Sequence, residues 1–432
     1  MWKSANKKIL YFILVMAFLF SIESQVLAST SSDNWTMFRS DPSHSGAGTG
    51  NPALTPKLLW NYTTGGDVES SPAVVSGVVY IGSNDGNVYA LDATSGAKLW
   101  SYPTGNLIES SPAVVSGVVY IGNDDGHFYA LNAAADGAKL WNYTIGTGNY
   151  IASSAAVLDG VVYVGAFIHN PAGVQNYVGA LYALNATNGE KLWNFTAGGG
   201  IYSSPAVVGG VVYFGSEDGN VYALDATSGA KLWSYPTGNF AESSPAVVNG
   251  VLYIGSDDDN FYALNAANGA QLWNYTTGGI AFSSPAIMDG VVYLGSYDHN
   301  VYALNATNGA QIWSHTTNGP VGSSPAVAGG VVYVGSFDHN FYALKATDGS
   351  QVWNYTHIGG GSSPAVDGGV VYVGAGTNVY ALGASSASSP SLLSSTLFII
   401  AGLVVAVVIV AAVVFLMVRK RSKTKQISPP QR

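Results

Sequence analysis

Asp85-Gly86-Asn87-Val88-Tyr89-Ala90-Leu91-Asp92-Ala93-Thr94-Ser95-Gly96-Ala97-Lys98-Leu99-Trp100 opens a stretch, Asp85 to Asn106, that returns residue for residue at Asp218 to Asn239. Looser copies end at Trp141, Trp193, Trp273, Trp313 and Trp353, and with Trp60, Trp100 and Trp233 the tryptophan spacings are 40, 41, 52, 40, 40, 40 and 40. Between them a phrase close to Ser-Ser-Pro-Ala-Val recurs eight times, beginning at Ser70, Ser110, Ser153, Ser203, Ser243, Ser283, Ser323 and Ser362. Self-similarity at a fixed period identifies an architecture before local structure is considered.

Each unit reads as four short strands: Ser-Pro-Ala-Val-Val, Gly-Val-Val-Tyr-Ile-Gly, Val-Tyr-Ala-Leu-Asp-Ala and Lys-Leu-Trp-Ser-Tyr. The breaks between them, Ser76-Gly77, Asn84-Asp85-Gly86-Asn87 and Thr94-Ser95-Gly96, are turn chemistry. The strands are apolar on both faces, as sheets packed between two neighbours require. Four-stranded units at a period of about 40 to 45 residues mark a β-propeller. The chain enters its repeats on a lone fourth strand, Lys57-Leu58-Leu59-Trp60, and leaves at Leu382 with a unit that lacks one. The N-terminal strand therefore completes the last blade, which predicts an all-β, eight-bladed propeller over 57–382 latched by its own terminus.

The flanks predict export and a membrane anchor. Residues 1–28 carry Lys3, Lys7 and Lys8, an apolar stretch from Ile9 to Phe20, and Val26-Leu27-Ala28, the pattern of a signal peptide cleaved after Ala28. Residues 29–56 form an N-terminal extracellular segment and 383–396 a Ser-rich linker. Leu397 to Val418 is an uninterrupted apolar run long enough for a transmembrane helix, and 419–432 is a basic tail. Positive residues stay on the cytoplasmic side, so the expectation is a single-pass cell-membrane protein with an extracytoplasmic propeller. Eight Asn-x-Ser/Thr sequons are glycosylation candidates: Asn34, Asn61, Asn142, Asn185, Asn194, Asn274, Asn305 and Asn354.

The formal net charge of −9 hides a sharper division, since residues 29–390 hold 24 acids and 7 bases, a net of −17. Such a domain repels nucleic acid and attracts cations or basic partners. The absence of cysteine from the sequence excludes a disulfide scaffold, thiolate-bound zinc, iron–sulfur clusters and a cysteine nucleophile.

The run Ala90 to Trp100, with its versions at the other tryptophans, resembles the tryptophan-docking motif of propellers with pyrroloquinoline quinone (PQQ)-like repeats. The resemblance implies eight blades, a Trp docked between adjacent blades, and Ala and Gly permitting close approach. That family includes quinoprotein dehydrogenases and non-enzymatic members, among them an outer-membrane assembly lipoprotein that acts as a docking surface. The dehydrogenases need a calcium-bound quinone, an acidic base, a Trp platform and often a vicinal disulfide. Here eight of the ten tryptophans belong to repeats, Trp2 lies in the signal and Trp35 in the N-terminal segment, so none is left in the blades as a platform. The reading is a surface binding or protein-interaction scaffold with no cofactor, its alternatives being a PQQ- and calcium-dependent dehydrogenase and a cation- or polysaccharide-binding protein.

Repeat positions that vary while their surroundings stay constant indicate what a propeller binds. The residue before Ser-Ser is Glu69, Glu109, Ala152, Tyr202, Glu242, Phe282, Gly322 and Gly361 in successive blades. It opens the innermost strand and is expected at the channel mouth, which makes Glu69, Glu109, Tyr202, Glu242 and Phe282 the candidate binding residues. The hairpins between second and third strands reach the same face and are rich in Asp, with Asp257-Asp258-Asp259 the densest cluster and a candidate metal site. No hairpin has the spacing of a twelve-residue calcium loop. Lys57, Lys98, Lys139, Lys191 and Lys231 begin fourth strands on the opposite face, which polarises the molecule into an acidic outward face and a basic one. Blade 3 alone has a long hairpin, Gly165 to Ala180, carrying Phe167, His169 and Tyr177.

Overall fold

A computed structural model describes residues 34–383 apart from 49–50, 56, 135, 147, 170–176 and 361. The signal segment, the apolar run 397–418 and the basic tail lie outside the described residues. The described residues contain strands and turns and no helix. Blade 1 is Ala73–Val75, Val78–Gly82, Asn87–Asp92 and Lys98–Pro103, an antiparallel meander from the channel outward. The same four-stranded order repeats in eight sheets. The last sheet is completed from the other end of the chain, where Leu58–Thr63 pairs antiparallel with Asn378–Gly383.

Adjacent blades are joined by one repeated contact. In blade 1 Trp100 Nε1 and Tyr80 OH both donate to the carbonyl of Ala133 in blade 2, at 3.2 and 3.3 Å. The pattern continues round the ring: Trp141 and Tyr120 share Ala186, Trp193 and Tyr163 share Ala226, and Trp233 and Tyr213 share Ala266. Trp273 with Tyr253 and Trp313 with Tyr293 share Ala306 and Ala346. Trp60 and Tyr372 in blade 8 return the pattern to Ala93 in blade 1. The two rings of each pair lie 5.9 Å apart in every blade. The indole lies on the glycine of the next blade's turn: Gly96 has φ of +70°, and a Cβ there would sit 2.6 Å from the Trp60 ring. Ala is excluded at that turn by the backbone and by the indole at once.

Blade 8 has no turn to offer Trp353, because its third and outer strands come from opposite ends of the chain. Ala53 supplies the missing carbonyl, accepting from Trp353 at 2.8 Å and Tyr333 at 3.2 Å. Each outer strand also skips one residue of register beside its tryptophan, for example between Lys98 and Trp100. In six blades the extra residue is an exposed Leu or Ile, namely Leu99, Leu140, Leu192, Leu232, Leu272 and Ile312, and in blades 7 and 8 it is the half-buried Val352 and Leu59. A bulge with a lysine or glutamine beside it blunts a strand edge that would otherwise pair with another chain.

The innermost strands have a free edge as well, facing the channel, and the N-terminal segment covers it. The amides of Val74, Val114, Val207, Val247, Ile287 and Val327 donate to the carbonyls of Trp35, Thr36, Pro42, Ser43, Ser45 and Gly46, at 2.7–2.9 Å. Ala47–Gly48 pairs parallel with Ala326–Ala328 of blade 7. Arg39, 2% exposed, donates to the carbonyls of Pro285 and Pro325, and His44 Nδ1 lies 3.1 Å from that of Pro245. Burial lowers the Arg39 pKa to about 9 and the His44 pKa to about 4, so at neutral pH the arginine is charged and the imidazole neutral. The repeat pattern starts the propeller at Lys57, yet 34–48 lie inside the ring as an arm wound along six of its eight inner strands.

The shared carbonyl and the arm each lend themselves to a direct test. Either Trp233→Phe or Tyr213→Phe alone leaves the Ala266 carbonyl one donor and costs about 1 kcal/mol. The double variant leaves it none, so its urea-unfolding cost exceeds the sum of the singles by about 1–2 kcal/mol; strict additivity would mean that the shared carbonyl is unimportant. Removal of residues 29–48 exposes the six inner-strand amides, whose hydrogen exchange then accelerates toward that of open backbone while outer-strand exchange changes less.

Candidate functional site

The Ser-Ser phrase builds the channel wall. In six blades the first serine accepts from a glycine amide of the second strand, as Ser70 Oγ does from Gly82 at 3.0 Å. The second serine links blades: Ser71 N donates to Ser111 Oγ, Ser111 N to Ser154 Oγ, and so on to Ser363 N, which donates to Ser71 Oγ. These eight bonds of 2.9–3.1 Å form a closed belt around the channel. Proline follows because the next residue lies on an edge, where a missing N–H costs nothing.

The belt encloses a neck of about 140 Å³ that Phe38 of the arm also lines. The mouth beside it is a cavity of about 480 Å³ lined by Glu69, Glu109, Tyr202, Phe282, Phe337 and small residues of blade 8. The arm lies along the inner strands with Trp35, Met37, Arg39 and His44 buried, and its Phe38 reaches the neck, so neck and mouth form a funnel on one side of the arm. The structure brings Glu69, Glu109, Tyr202, Glu242 and Phe282 to this funnel together. Tyr202 and Phe337 are 36% and 43% exposed, and Leu107 and Phe240, both 42% exposed, lie on loops of the same face. On the blade 3 and 4 side Tyr150 stacks on Phe167 at 4.2 Å, and Phe167 meets Tyr202 edge-on at 4.7 Å. On the opposite side Phe282, Tyr297 and Phe337 are in contact, with centroids 5.9 and 6.1 Å apart.

The hairpin acids divide into two kinds by their place in the turn. Asp85, Asp218, Asp258, Asp298 and Asp338 each accept from the amide two residues on, from a tyrosine OH four residues on, and from a loop amide of the preceding blade. Burial opposes ionisation of Asp85, Asp258, Asp298 and Asp338, and these bonds outweigh it and hold their pKa values down. The residue one position earlier behaves differently. Burial raises the pKa of Asp124 to about 7, with Glu109, Glu69 and Asp125 adding repulsion. Asp257 is also raised by burial, and then by Asp258 and Asp259. Burial, Asp257 and Glu217 raise Glu242 to about 7, and Glu242 shares a hydrogen bond with Glu217. Glu109 is raised by burial and by Glu69.

Asp257, Asp258 and Asp259 therefore meet different surroundings. The first adjoins the funnel acids and the second is tied into its blade, while Asp259 occupies a turn position at φ of +66° where other blades have Gly86 or Gly219. Among the described residues no group of three His, Cys, Asp or Glu side chains is arranged to hold a metal ion. His299 and His339 take the same left-handed position as Asp259. The residues present do not fit PQQ with calcium either. Each repeat indole is committed to a blade contact, the funnel lining contains no lysine or arginine for an anionic quinone, and its walls are acidic.

Of the sequons, Asn61, Asn142, Asn194, Asn274 and Asn354 lie exposed on outer strands. The side chains of Asn185 and Asn305 are half-buried and accept from the amides of Thr187 and Thr307, and Asn34 accepts from Ser76. Sequence reasoning placed the mouth residues but missed the arm and its Phe38, Arg39 and His44. The available signal was an apolar Trp35-Thr36-Met37-Phe38 run ending at Arg39, the sole arginine before residue 419.

The raised carboxyl pKa values have a consequence for stability. Glu242 and Asp124 exceed their unfolded range near 4, so between about pH 4 and 7 the folded chain holds protons that the unfolded chain has released. Their contribution is present below that window and lost as pH rises through about 7. The melting temperature should fall between about pH 4 and 7, and Glu242→Gln should flatten the decline; a slope unchanged in the variant would rule out this origin.

Known proteins share this architecture. The family model described as outer membrane protein assembly factor BamB matches residues 51–170, 177–285, 237–320 and 277–389. No curated protein matches the sequence. BamB from Moraxella catarrhalis superposes with a TM-score of 0.64 at 19% identity, covering 76% of this chain and 99% of that one. Quinohemoprotein alcohol dehydrogenase ADHIIG from Pseudomonas putida HK5 gives 0.70 at 17% identity, covering 83% and 81%. A europium-containing methanol dehydrogenase gives 0.71 at 14% identity, covering 84% and 100%. At these identities the solved structures share the fold, and the family match carries the kinship: the chain belongs to the BamB-type family of PQQ-like repeat β-propellers.

Proposed function

We propose that the protein is a membrane-anchored, extracytoplasmic binding propeller that holds a partner at its acidic funnel. The observation that carries this reading is the funnel on one side of the arm. Carboxylates and exposed apolar side chains converge at its open mouth, while the chain's own arm lies along the inner strands behind it. The third strand of blade 8 ends at Gly383, at the end of the blade remote from the mouth, leaving the funnel unobstructed by the strand that leads toward the apolar segment. The signal pattern and Leu397 to Val418 support export and anchoring in the cell membrane, with the basic tail cytoplasmic. Asn61, Asn142, Asn194, Asn274 and Asn354 are the sequons best placed to carry glycans, being exposed on outer strands.

A scaffold reading also agrees with the family, whose model is described as an outer-membrane assembly factor. The funnel acids favour a basic partner and disfavour nucleic acid. The test is affinity capture from the cell envelope with the full chain in detergent, alongside Glu69→Gln/Glu109→Gln/Glu242→Gln. The triple variant should lose the specific partner while keeping its melting temperature within a few degrees. Capture of identical material by both would place the contact elsewhere on the propeller.

A further inference from the structure

We infer that the funnel is a receptor for an organic cation with an apolar stem, the chemistry shared by a lysine or arginine side chain and a free polyamine. This rests on the binding reading above and names the ligand class for the same site. The cavity of about 480 Å³ falls within the size range of small-ligand sites. Its charge is of one sign. Glu69, Glu109 and Asp124 form one acidic group and Glu217, Glu242 and Asp257 another, with Tyr202 close to members of both. Among the described residues no lysine, arginine or histidine lines the cavity or the neck.

Behind this lining, Asp124 Oδ1 and Asp257 Oδ1 are withdrawn from water without a hydrogen-bond partner; neither residue itself lines the cavity or the neck. The remaining wall determines which kind of cation fits. A metal ion needs several oxygens converging on one point, and among the described residues no three acidic or histidine side chains do so. The funnel instead presents the rings of Tyr202, Phe282 and Phe337 at its mouth and Phe38 at its neck. Aromatic faces stabilise ammonium and guanidinium groups and cover an alkyl stem. Beneath them the serine belt offers hydroxyls, whose oxygens already accept from backbone amides and whose O–H groups are free to turn toward the lumen or its water.

The test is calorimetric titration of the full chain in detergent at about pH 8 with 1,5-diaminopentane, Nα-acetyl-lysine methylamide and calcium chloride. At least one amine should bind ten times or more tightly than calcium. Glu69→Gln/Glu109→Gln/Glu242→Gln should weaken amine binding at least tenfold. Phe282→Ala/Phe337→Ala, which keeps every charge, should weaken it about threefold or more. Stronger binding of the lysine derivative assigns the site to a partner's side chain, and stronger binding of the diamine assigns it to a free polyamine. Calcium binding as tightly as either amine, no heat from the amines, or full affinity in either variant would overturn the inference. If envelope capture still depends on the three glutamates while the amines fail to bind, the binding reading survives and the ligand class falls. If the amines bind and capture is unchanged in the triple variant, the ligand class stands and the partner contact lies outside the funnel.

Discussion

The structure depends on one carbonyl per blade. An alanine carbonyl in the turn between third and outer strands accepts an indole N–H and a tyrosine O–H from the preceding blade. The indole lies against the turn glycine, where no Cβ would fit. This contact fixes the angle between neighbouring sheets, so its repetition determines where the ring closes. Closure then demands a substitute in blade 8, whose turn is broken by the chain ends, and Ala53 supplies it. The segment leading into the propeller thus takes a place in the repeat without having its sequence.

A second constraint acts at the centre. Eight innermost strands turn an edge toward the channel, and unpaired backbone groups there would need water or a partner chain. The arm satisfies six of those amides, and its Arg39 and His44 reach three of the proline carbonyls. The serine belt joins the strands one level above. The neck and mouth left above the arm are therefore a remainder of the packing, bounded below by Phe38 and open on one side.

The repeat made most of this legible. Blade number, strand order, the closing strand and the face reached by Glu69, Glu109 and Glu242 all follow from the period and from the up-and-down run of the strands. The arm was not legible by the same means, because it occurs once and its bonds to the blades are backbone bonds that no side-chain pattern encodes. The hairpin acids show a finer limit. Asp257 and Asp258 are adjacent and chemically identical, yet one is pushed toward protonation by its surroundings and the other is held ionised by Tyr262, Asn260 and Gly238. Composition registers both as negative charge; only the position within the turn separates scaffold from surface.

That separation bears on what the acidic charge does. The tied aspartates stay ionised, but their oxygens are occupied by donors of the scaffold, so they do not serve as direct ligand contacts. The funnel acids are the reverse case, crowded, partly withdrawn from water and without a basic residue in the lining. Their raised pKa values express a burial and a repulsion that a bound cation would relieve. The aromatic and acidic walls arise because the residue before Ser-Ser is Tyr202 in blade 4 and Phe282 in blade 6 where blades 1, 2 and 5 carry Glu69, Glu109 and Glu242, while blade 7 brings Phe337 from its hairpin. A ring of identical blades would have surrounded the channel with uniform charge. Divergence at the mouth of an otherwise uniform repeat makes the site asymmetric, and an asymmetric site can orient a ligand as well as attract it.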